Sequence, residues 1–336
     1  MKKLKISLLT SQVISQRDYK RFAIETLEIN NELTVIDFTK ILQPRAFDLQ
    51  FKSRKKELNT IYIKNNLEIS NFLKHFERSH LIISLLGDQN ELNNFIYKKI
   101  KPFEEKVCMV IISAFPLEPL NLKYFIFKKI YCKLGRERFF FLFNKSKKLI
   151  HKLKYWFLKN EKLTPSFLVV NGDKVVEHYF KNIDKRTKVF KTCSYDYVLS
   201  KKKYKRIYED KYIVFLDEYL VKHPDFKMLN GYVEKEKIYY EELNKFFHFL
   251  ENNFNIKIVI SSHPRADLNF NKAKFPDFYV SQGNTAQLVR YSEACITHAS
   301  TSINFPVIFS KPIIFITTNR MQKTRYDNEL LASWFN

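Results

Sequence analysis

The chain has 336 residues, of which 45% are hydrophobic and 16% aromatic, and it carries a formal net charge of +23. This length fits one large or two ordinary domains, and the apolar content excludes global disorder. Only 5 glycines occur, no two of them close enough to form a glycine-rich phosphate loop. The 4 cysteines lie far apart in the sequence, which argues against a zinc cluster or a redox pair.

The N-terminus combines lysines with an apolar run, as a signal peptide does. The run is too short, however, and no small-residue cleavage site follows it. No stretch approaches the roughly 20 apolar residues that a membrane-spanning helix needs. We therefore expect a cytoplasmic protein, either soluble or peripheral on a membrane.

Short apolar runs alternate with longer amphipathic ones along the first half of the chain. The runs of strand length are 4–9, 33–37, 81–86, 107–112, 167–170 and 189–193. Helical patterns lie between them, for example at 66–76 and 90–100. Buried strands that alternate with helices predict a parallel sheet covered on both faces.

A basic and aromatic insertion, residues 121–163, interrupts this alternation. It contains 13 basic and 2 acidic residues, whereas residues 1–200 as a whole have a net charge of +18. Such a surface suits anionic lipid headgroups, which suggests peripheral contact with a membrane. The alternative is a solvated helical face in a chain that is rich in lysine throughout, and nucleic-acid binding is a weaker third interpretation.

The second half repeats the alternation after a polar stretch, 199–211, that reads as an interdomain linker. We predict strands at 212–216, 256–260, 278–281, 294–297 and 312–316, with helices at 235–252, 285–291 and 300–309. The predicted fold class is α/β, with two Rossmann-like domains, 1–200 and 201–336, that face a cleft. Ligands of such sheets bind beyond the carboxyl ends of the strands.

Polar residues follow three predicted strands of the second half. These groups are the carboxylates Asp217 and Glu218, the triplet His263, Pro264 and Arg265, and the hydroxyl run Ser300, Thr301 and Ser302. Taken singly, a carboxylate after a strand can be a helix cap, and a hydroxyl run before a helix is ordinary N-capping. Taken together, they place a base, a cation and a helix N-terminus at one sheet edge.

This combination fits the transfer of a group away from a nucleotide phosphate. The amides and hydroxyls of the 300–302 run can hold a phosphate without a glycine loop. His263 can donate a hydrogen bond to a phosphate oxygen, and Arg265 adds a fixed positive charge. Asp217 or Glu218 can deprotonate an incoming hydroxyl. No metal is required, because His263 and the helix dipole cover the charge of the leaving group.

The ordered motifs resemble bacterial glycosyltransferases of the GT-B fold, above all the sialyltransferase-like and Kdo-transferase-like groups. The motifs are Asp-Glu after one strand, Ser-His-Pro-Arg after the next, Gln-Gly-Asn-Thr at 282–285 and Ile-Thr-His-Ala-Ser-Thr-Ser at 296–302. The resemblance covers about 190–320. It implies two Rossmann-like domains, of which the second binds a nucleotide-sugar donor, CMP-linked in preference, while the first lies on the acceptor side.

The resemblance also implies roles for individual residues. His263 would contact the donor phosphate, the serine and threonine at 300–301 would match the hydroxyl motif at that phosphate, and one carboxylate of the acidic pair would be the base. The nucleotide pocket would be lined by Gly283, Asn284 and Thr285. Tyr219 stands where the family pattern has glycine. The chain also ends soon after its last predicted strand, so we expect that 328–335 is a shortened form of the family's C-terminal helix and that the second domain is truncated.

The sequence thus predicts a metal-independent, inverting glycosyltransferase with no cofactor beyond its donor substrate. Its partners would be a nucleotide sugar and a glycan or lipid-linked acceptor of a capsule, lipooligosaccharide or O-antigen, reached at the inner face of the cytoplasmic membrane. Three alternatives stay open. They are a CDP-glycerol-type glycerophosphotransferase, a non-catalytic basic protein that binds nucleic acid, and a degenerate scaffold that keeps the fold without the reaction.

Overall fold

The computed structural model describes residues 3–51, 54–65, 68–69, 72–87, 92–112, 163–173, 176, 185–222 and 235–318. The chain divides into two compact units, Met1–Cys193 and Ser194–Asn336. Each unit holds one parallel β-sheet, of seven strands in the first unit and five in the second. The predicted fold class, α/β with two Rossmann-like domains, is therefore confirmed. The division falls after Cys193 rather than after residue 200.

The sheet of the first unit has the strand order β3-β2-β1-β4-β5-β6-β7. Its strands are β1 Lys5–Thr10, β2 Glu32–Asp37, β3 Thr60–Tyr62, β4 Leu81–Ser84, β5 Val107–Ile111, β6 Phe167–Val170 and β7 Lys188–Lys191. The α-helices described in this unit are Gln16–Arg21, Ile24–Asn30, Thr39–Leu42, Pro44–Phe51, Leu73–Arg78 and Asn94–Ile100. Residues Lys101–Lys106 form 3-10 helix.

Both faces of this sheet are buried, as the continuous apolar runs predict. Along β1, Leu8 packs in one apolar cluster and Leu9 in another, and along β2 Val35 and Ile36 divide in the same way. Successive side chains of a strand point to opposite faces, so the two clusters cover the two sides of the sheet.

The sheet of the second unit has the strand order β10-β9-β8-β11-β12. Its strands are β8 Tyr212–Leu216, β9 Lys257–Ser262, β10 Tyr279–Gln282, β11 Ala294–Thr297 and β12 Ile313–Phe315. The α-helices are Tyr195–Ser200, Glu236–Phe254, Leu268–Lys274, Thr285–Tyr291 and Asn304–Ile308, and a 3-10 turn spans Thr301–Ile303. Every residue of β8 is buried, as expected for the central strand.

The stretch 199–211 is not the interdomain linker that its polar composition predicts, because it lies within the second unit. Tyr204, Ile207 and Tyr208 pack against the apolar cluster of the second unit. The Tyr291 hydroxyl donates to the Tyr204 carbonyl oxygen over 2.5 Å. The aromatic and aliphatic residues between the lysines thus anchor this stretch to the second unit, and the prediction of a linker was wrong.

The sequence did not predict strand β3 or, in the second unit, the helices Tyr195–Ser200 and Leu268–Lys274. The basic insertion lies outside the described residues except for Leu163, and the segment 328–335 lies outside them altogether. Among the helices that the structure describes, none combines the length and the apolar character required to cross a bilayer.

Candidate functional site

The second sheet reverses its winding direction next to its central strand. From β8 the chain adds β9 and β10 on one side, and then crosses over to add β11 and β12 on the other. All neighbouring strands are parallel, so the carboxyl ends of the five strands share one edge. In open α/β sheets the crevice at such a reversal, here between β8 and β11, is the usual ligand site.

Asp217 follows β8 and is buried, with 3% of its surface exposed. Its Oδ1 accepts the Tyr219 backbone N–H over 2.8 Å, and its Oδ2 accepts Nδ2 of Asn271 over 2.7 Å. The backbone N–H of His263 donates to the same carboxylate. Three donors from three segments therefore converge on one side chain, and Asp217 ties the end of β8 to the loop that follows β9.

Burial raises the pKa of Asp217 from its ordinary value of 3.8 to about 6. Removing the carboxylate from water disfavours its charged form, and the negative charge of Glu218 raises the pKa slightly further. The hydrogen bonds from Tyr219, Asn271 and His263 act in the opposite direction, because they stabilise the carboxylate. Desolvation is the largest of these effects.

Glu218 contacts the loop on the other side of β8, which follows β11. Its side chain is 8% exposed, and its Oε1 accepts the backbone N–H of Ala299, in the loop that follows β11. Adjacent residues at the end of a strand point in opposite directions. The acidic pair therefore holds both loops that border β8, Asp217 the loop after β9 and Glu218 the loop after β11.

Tyr219 has a left-handed backbone, with φ +54°. This conformation is uncommon outside glycine, and for a large side chain it is a true outlier that costs about 1–3 kcal/mol. The ring is buried, at 7% exposure, and lies edge-on to Phe270 with the ring centroids 5.9 Å apart. The family that the sequence resembles has glycine at this position, and the positive φ is a physical reason for a preference for glycine.

His263 begins a tight turn that fixes its imidazole. The Ala266 N–H donates to the His263 carbonyl oxygen over 2.9 Å, and Pro264 restricts the turn between them. The Arg265 backbone N–H donates to Nδ1 of His263 over 3.1 Å. Because Nδ1 accepts this bond, the proton of the neutral ring lies on Nε2, which is therefore a hydrogen-bond donor. The ring is half-buried, and the Arg265 side chain is exposed.

Gln282, at the end of β10, supports this turn from the side. Its Nε2 donates to the carbonyl oxygens of His263 and Ala266 over 2.8 and 2.9 Å. Both hydrogens of one side-chain amide thus hold the two ends of the turn.

The hydroxyl run caps its own helical turn. Ser300 is the N-cap residue of the 3-10 turn, and its Oγ accepts the Ser302 backbone N–H over 3.2 Å. Ser300 is buried and Thr301 exposed. The Ser302 backbone N–H, one of the amides expected to hold a phosphate, is therefore already hydrogen-bonded within the run.

His298, just before that run, has a structural role, because both of its ring nitrogens form hydrogen bonds within the second unit. Its Nδ1 lies 2.8 Å from the Ile316 carbonyl oxygen, which can only accept, so Nδ1 carries the proton. Nε2 then accepts from the Tyr239 hydroxyl over 2.9 Å. The ring is buried and joins β11 to its neighbours.

The residues predicted to line a nucleotide pocket follow β10. Gly283 has φ +84°, which favours glycine, and both it and Asn284 are exposed. Asn284 donates from Nδ2 to Ser281 Oγ over 2.9 Å, and the hydroxyls of Thr285 and Ser261 lie 2.8 Å apart. These residues share the sheet edge with His263, on the side away from β11.

The fold thus brings the predicted site residues to one sheet edge, where the Asp217 carboxylate accepts the His263 backbone N–H and Glu218 contacts the loop before the 300–302 run. Neighbouring strands lie about 4.8 Å apart, so the ends of β9 and β11 are roughly 10 Å apart with β8 between them. Sequence reasoning missed Asn271 and the supporting role of Gln282. Asn271 lies in a short polar helix, where nothing in the sequence indicates a buried side chain.

No protein-family model and no curated protein sequence matches this chain. Among solved structures, it is similar to CalG4, the calicheamicin glycosyltransferase, at 10% identity over 99% of this chain and 84% of that chain, with a TM-score of 0.49. Phytolacca americana UGT2, complexed with UDP-2fluoro-glucose and pterostilbene, gives 10% identity, 96% and 82% coverage and a TM-score of 0.47. UDP-GlcNAc 2-epimerase from Neisseria meningitidis, bound to UDP-GlcNAc, gives 11% identity, coverage of 96% of this chain and 85% of that chain, and a TM-score of 0.44.

Proposed function

We propose that the protein is an enzyme, a metal-independent inverting glycosyltransferase that takes its sugar from a nucleotide-sugar donor bound by the second unit. The observation that carries this proposal is the bracing of two loops by consecutive carboxylates at the reversal point of the sheet. Asp217 holds the loop with His263, and Glu218 holds the loop that leads into the 300–302 run. The ordered motifs of the sequence support the same function.

In this proposal His263 binds the donor phosphate. The bond accepted at Nδ1 makes Nε2–H the donor of the neutral ring, and Arg265 belongs to the same turn. The hydroxyls of Thr301 and Ser302 lie on the other side of β8 and contact the same donor. Gly283, Asn284 and Thr285 border the nucleotide. Donors held in place before the reaction stabilise the charge that develops on the departing phosphate more than the ground state.

Glu218 is the better candidate for the catalytic base. Both oxygens of Asp217 accept hydrogen bonds from buried or backbone donors, so its carboxylate is committed to the fold. Glu218 lies between β8 and β11, where the ligand crevice is expected. The acceptor hydroxyl oxygen would attack the anomeric carbon as the bond to the phosphate oxygen breaks. The hydroxyl proton passes to the carboxylate, the nucleotide leaves with the electron pair, and the anomeric configuration inverts.

Nucleotide binding tests the donor site directly. Titration calorimetry with CMP, CDP and UDP, and with CMP-linked, UDP-linked and glycerol-linked donors, identifies the donor class. His263→Ala should weaken binding about tenfold or more, whereas His248→Ala, a control at a half-buried histidine on helix Glu236–Phe254, should leave it unchanged. Preference for CDP-glycerol would redirect the proposal to glycerophosphate transfer, and binding of no nucleotide would refute it.

The base is tested by turnover with the donor so identified. Glu218→Gln should lower kcat by orders of magnitude and leave donor affinity nearly unchanged, since it removes only the proton acceptor. Equal activity of Glu218→Gln and the wild type would remove Glu218 from this role.

The acceptor in this proposal is a surface glycan, such as a capsule, lipooligosaccharide or O-antigen chain, presented at the inner face of the cytoplasmic membrane. The net charge of +11 in residues 121–163 supports contact with anionic lipid. Cosedimentation with vesicles that contain 30% phosphatidylglycerol tests this, with neutral phosphatidylcholine vesicles as the control. We expect binding only to the anionic vesicles, weakening as salt rises; equal or no binding to both would contradict it.

A further inference from the structure

Asn271 is a buried amide that contacts residues at the ends of both β8 and β9. It has no exposed surface and lies in helix Leu268–Lys274. Its Nδ2 donates to Asp217 Oδ2 over 2.7 Å and to Ser262 Oγ over 2.8 Å. Ser262 is the last residue of β9 and directly precedes His263. One amide group therefore contacts both the carboxylate and the strand end that support the imidazole.

The orientation of this amide follows from its partners. Both hydrogens of Nδ2 are used, while in the described part of the chain Oδ1 of Asn271 has no hydrogen-bond partner. Rotating the amide by half a turn would place its oxygen against the Asp217 carboxylate, which can only accept when ionised. Asn271 therefore faces Asp217 as a donor, at the cost of leaving its own oxygen unsatisfied.

We propose that Asn271 is a positioning residue for the donor site, which acts through Asp217 and Ser262 to hold the His263 turn in place. Asn271 touches neither substrate nor reacting atoms in this role. It keeps the Asp217 carboxylate able to accept the His263 backbone N–H, and it fixes the strand end from which the turn starts. The inference rests on the proposed function for the ligand that His263 binds, but the coupling between Asn271 and Asp217 does not depend on it.

The physical basis is the balance that sets the ionisation of Asp217. Among the described residues, the groups that interact with this carboxyl include Glu218, the backbone amides of Tyr219 and His263, the phenols of Tyr219 and Tyr240, and Asn271. Asn271 supplies the one side-chain hydrogen bond among the causes that lower the pKa of Asp217. Without it, the carboxyl stays protonated to higher pH and holds the His263 turn less firmly.

Three variants and a control test the proposal in the full chain. Asn271→Leu removes both donors at similar volume, and Asn271→Asp places a second carboxyl against Asp217. The exchange variant, Asp217→Asn with Asn271→Asp, restores one amide facing one carboxylate. Asn269→Leu, at an exposed position of the same helix, controls for helix propensity. Circular dichroism establishes that each variant is folded.

The first measurement is the Kd at pH 7.5 for whichever of CMP and UDP the wild type binds. Asn271→Leu and Asn271→Asp should each weaken binding roughly tenfold, as loss of a positioning partner does elsewhere. The exchange variant should recover most of this loss, and Asn269→Leu should match the wild type. Unchanged affinity in a folded Asn271→Leu, or no recovery in the exchange variant, would overturn the proposal. If Asn271→Leu fails to fold, the comparison of Asn271→Asp with the exchange variant decides.

The second measurement needs no nucleotide. The effect of Asp217→Asn on the free energy of unfolding is measured against pH in the wild type and in Asn271→Leu, and its midpoint reports the titration of Asp217. We expect the midpoint to move to higher pH in Asn271→Leu. A merely structural Asn271 would lower stability equally at every pH, and an unmoved midpoint would refute the coupling. A moved midpoint in a protein that binds no nucleotide would refute the proposed function and leave the coupling standing.

Discussion

Replacing Asp217 by asparagine should change how the stability of the protein depends on pH. Burial raises the pKa of Asp217 from 3.8 to about 6. The native state therefore binds the proton more tightly than the unfolded chain, and the stabilisation from this group is complete below about pH 4. It is lost as pH rises through about 6, because the buried carboxyl must then ionise. A difference of about 2 pKa units corresponds to about 3 kcal/mol.

Urea unfolding followed by far-UV circular dichroism, at pH values from 4 to 8, measures this effect. The free energy of unfolding of the wild type minus that of Asp217→Asn should fall by about 2 kcal/mol between pH 4 and pH 7, because part of the full effect lies below pH 4 and other titrating groups cancel in the difference. Glu242→Gln, at an exposed carboxylate on helix Glu236–Phe254, should give a nearly flat difference. A difference for Asp217 that is flat, or that rises with pH, would refute the burial argument.

Three further predictions concern the loops around β8. Tyr219→Gly and Tyr219→Ala should both destabilise the protein, because both remove the buried ring. The glycine variant should be more stable than the alanine variant by about 1 kcal/mol, since only alanine keeps the strain of the left-handed backbone. Equal urea midpoints of the two variants would contradict this. Gln282→Leu should cost about 1–3 kcal/mol in the same assay and weaken nucleotide binding, since two carbonyl groups lose their donor. Ser300→Ala should cost about 1 kcal/mol as a lost N-cap, against less than about 0.5 for Thr301→Ala at the exposed neighbour.

The alternation of apolar runs predicted every described strand except β3. The strands Phe167–Val170, Tyr212–Leu216 and Ala294–Thr297 begin and end where the sequence pattern places them, because buried parallel strands are continuous apolar runs with polar ends. Strand β3 was missed because a pairing of three residues, Thr60–Tyr62, leaves too short a pattern. Helix Leu268–Lys274 was missed because its composition is mostly polar.

The candidate site was predictable in position but not in its internal contacts. Parallel strands in a doubly wound sheet end at one edge, so residues after several strands must gather there. What the sequence does not carry is which of these side chains are buried. Asp217 and Asn271 are residue types that are typical of loops and surfaces. Their burial follows from the position of helix Leu268–Lys274, which brings Asn271 against Asp217 and Ser262.

Two adjacent carboxylates at the end of β8 have a structural reason that is separate from catalysis. The central strand of the sheet has a neighbour on each side, and both neighbouring loops present backbone N–H groups near its end. Because consecutive side chains diverge, one acidic residue can reach only one of these loops, and a pair is needed to reach both. In the proposed reaction, the carboxylate that accepts the proton is also one that holds a loop. The proposed base and the position of the loop are therefore linked. If a substitution at Glu218 abolishes turnover, the loss is attributable to the missing base only when the affinity for the nucleotide is unchanged.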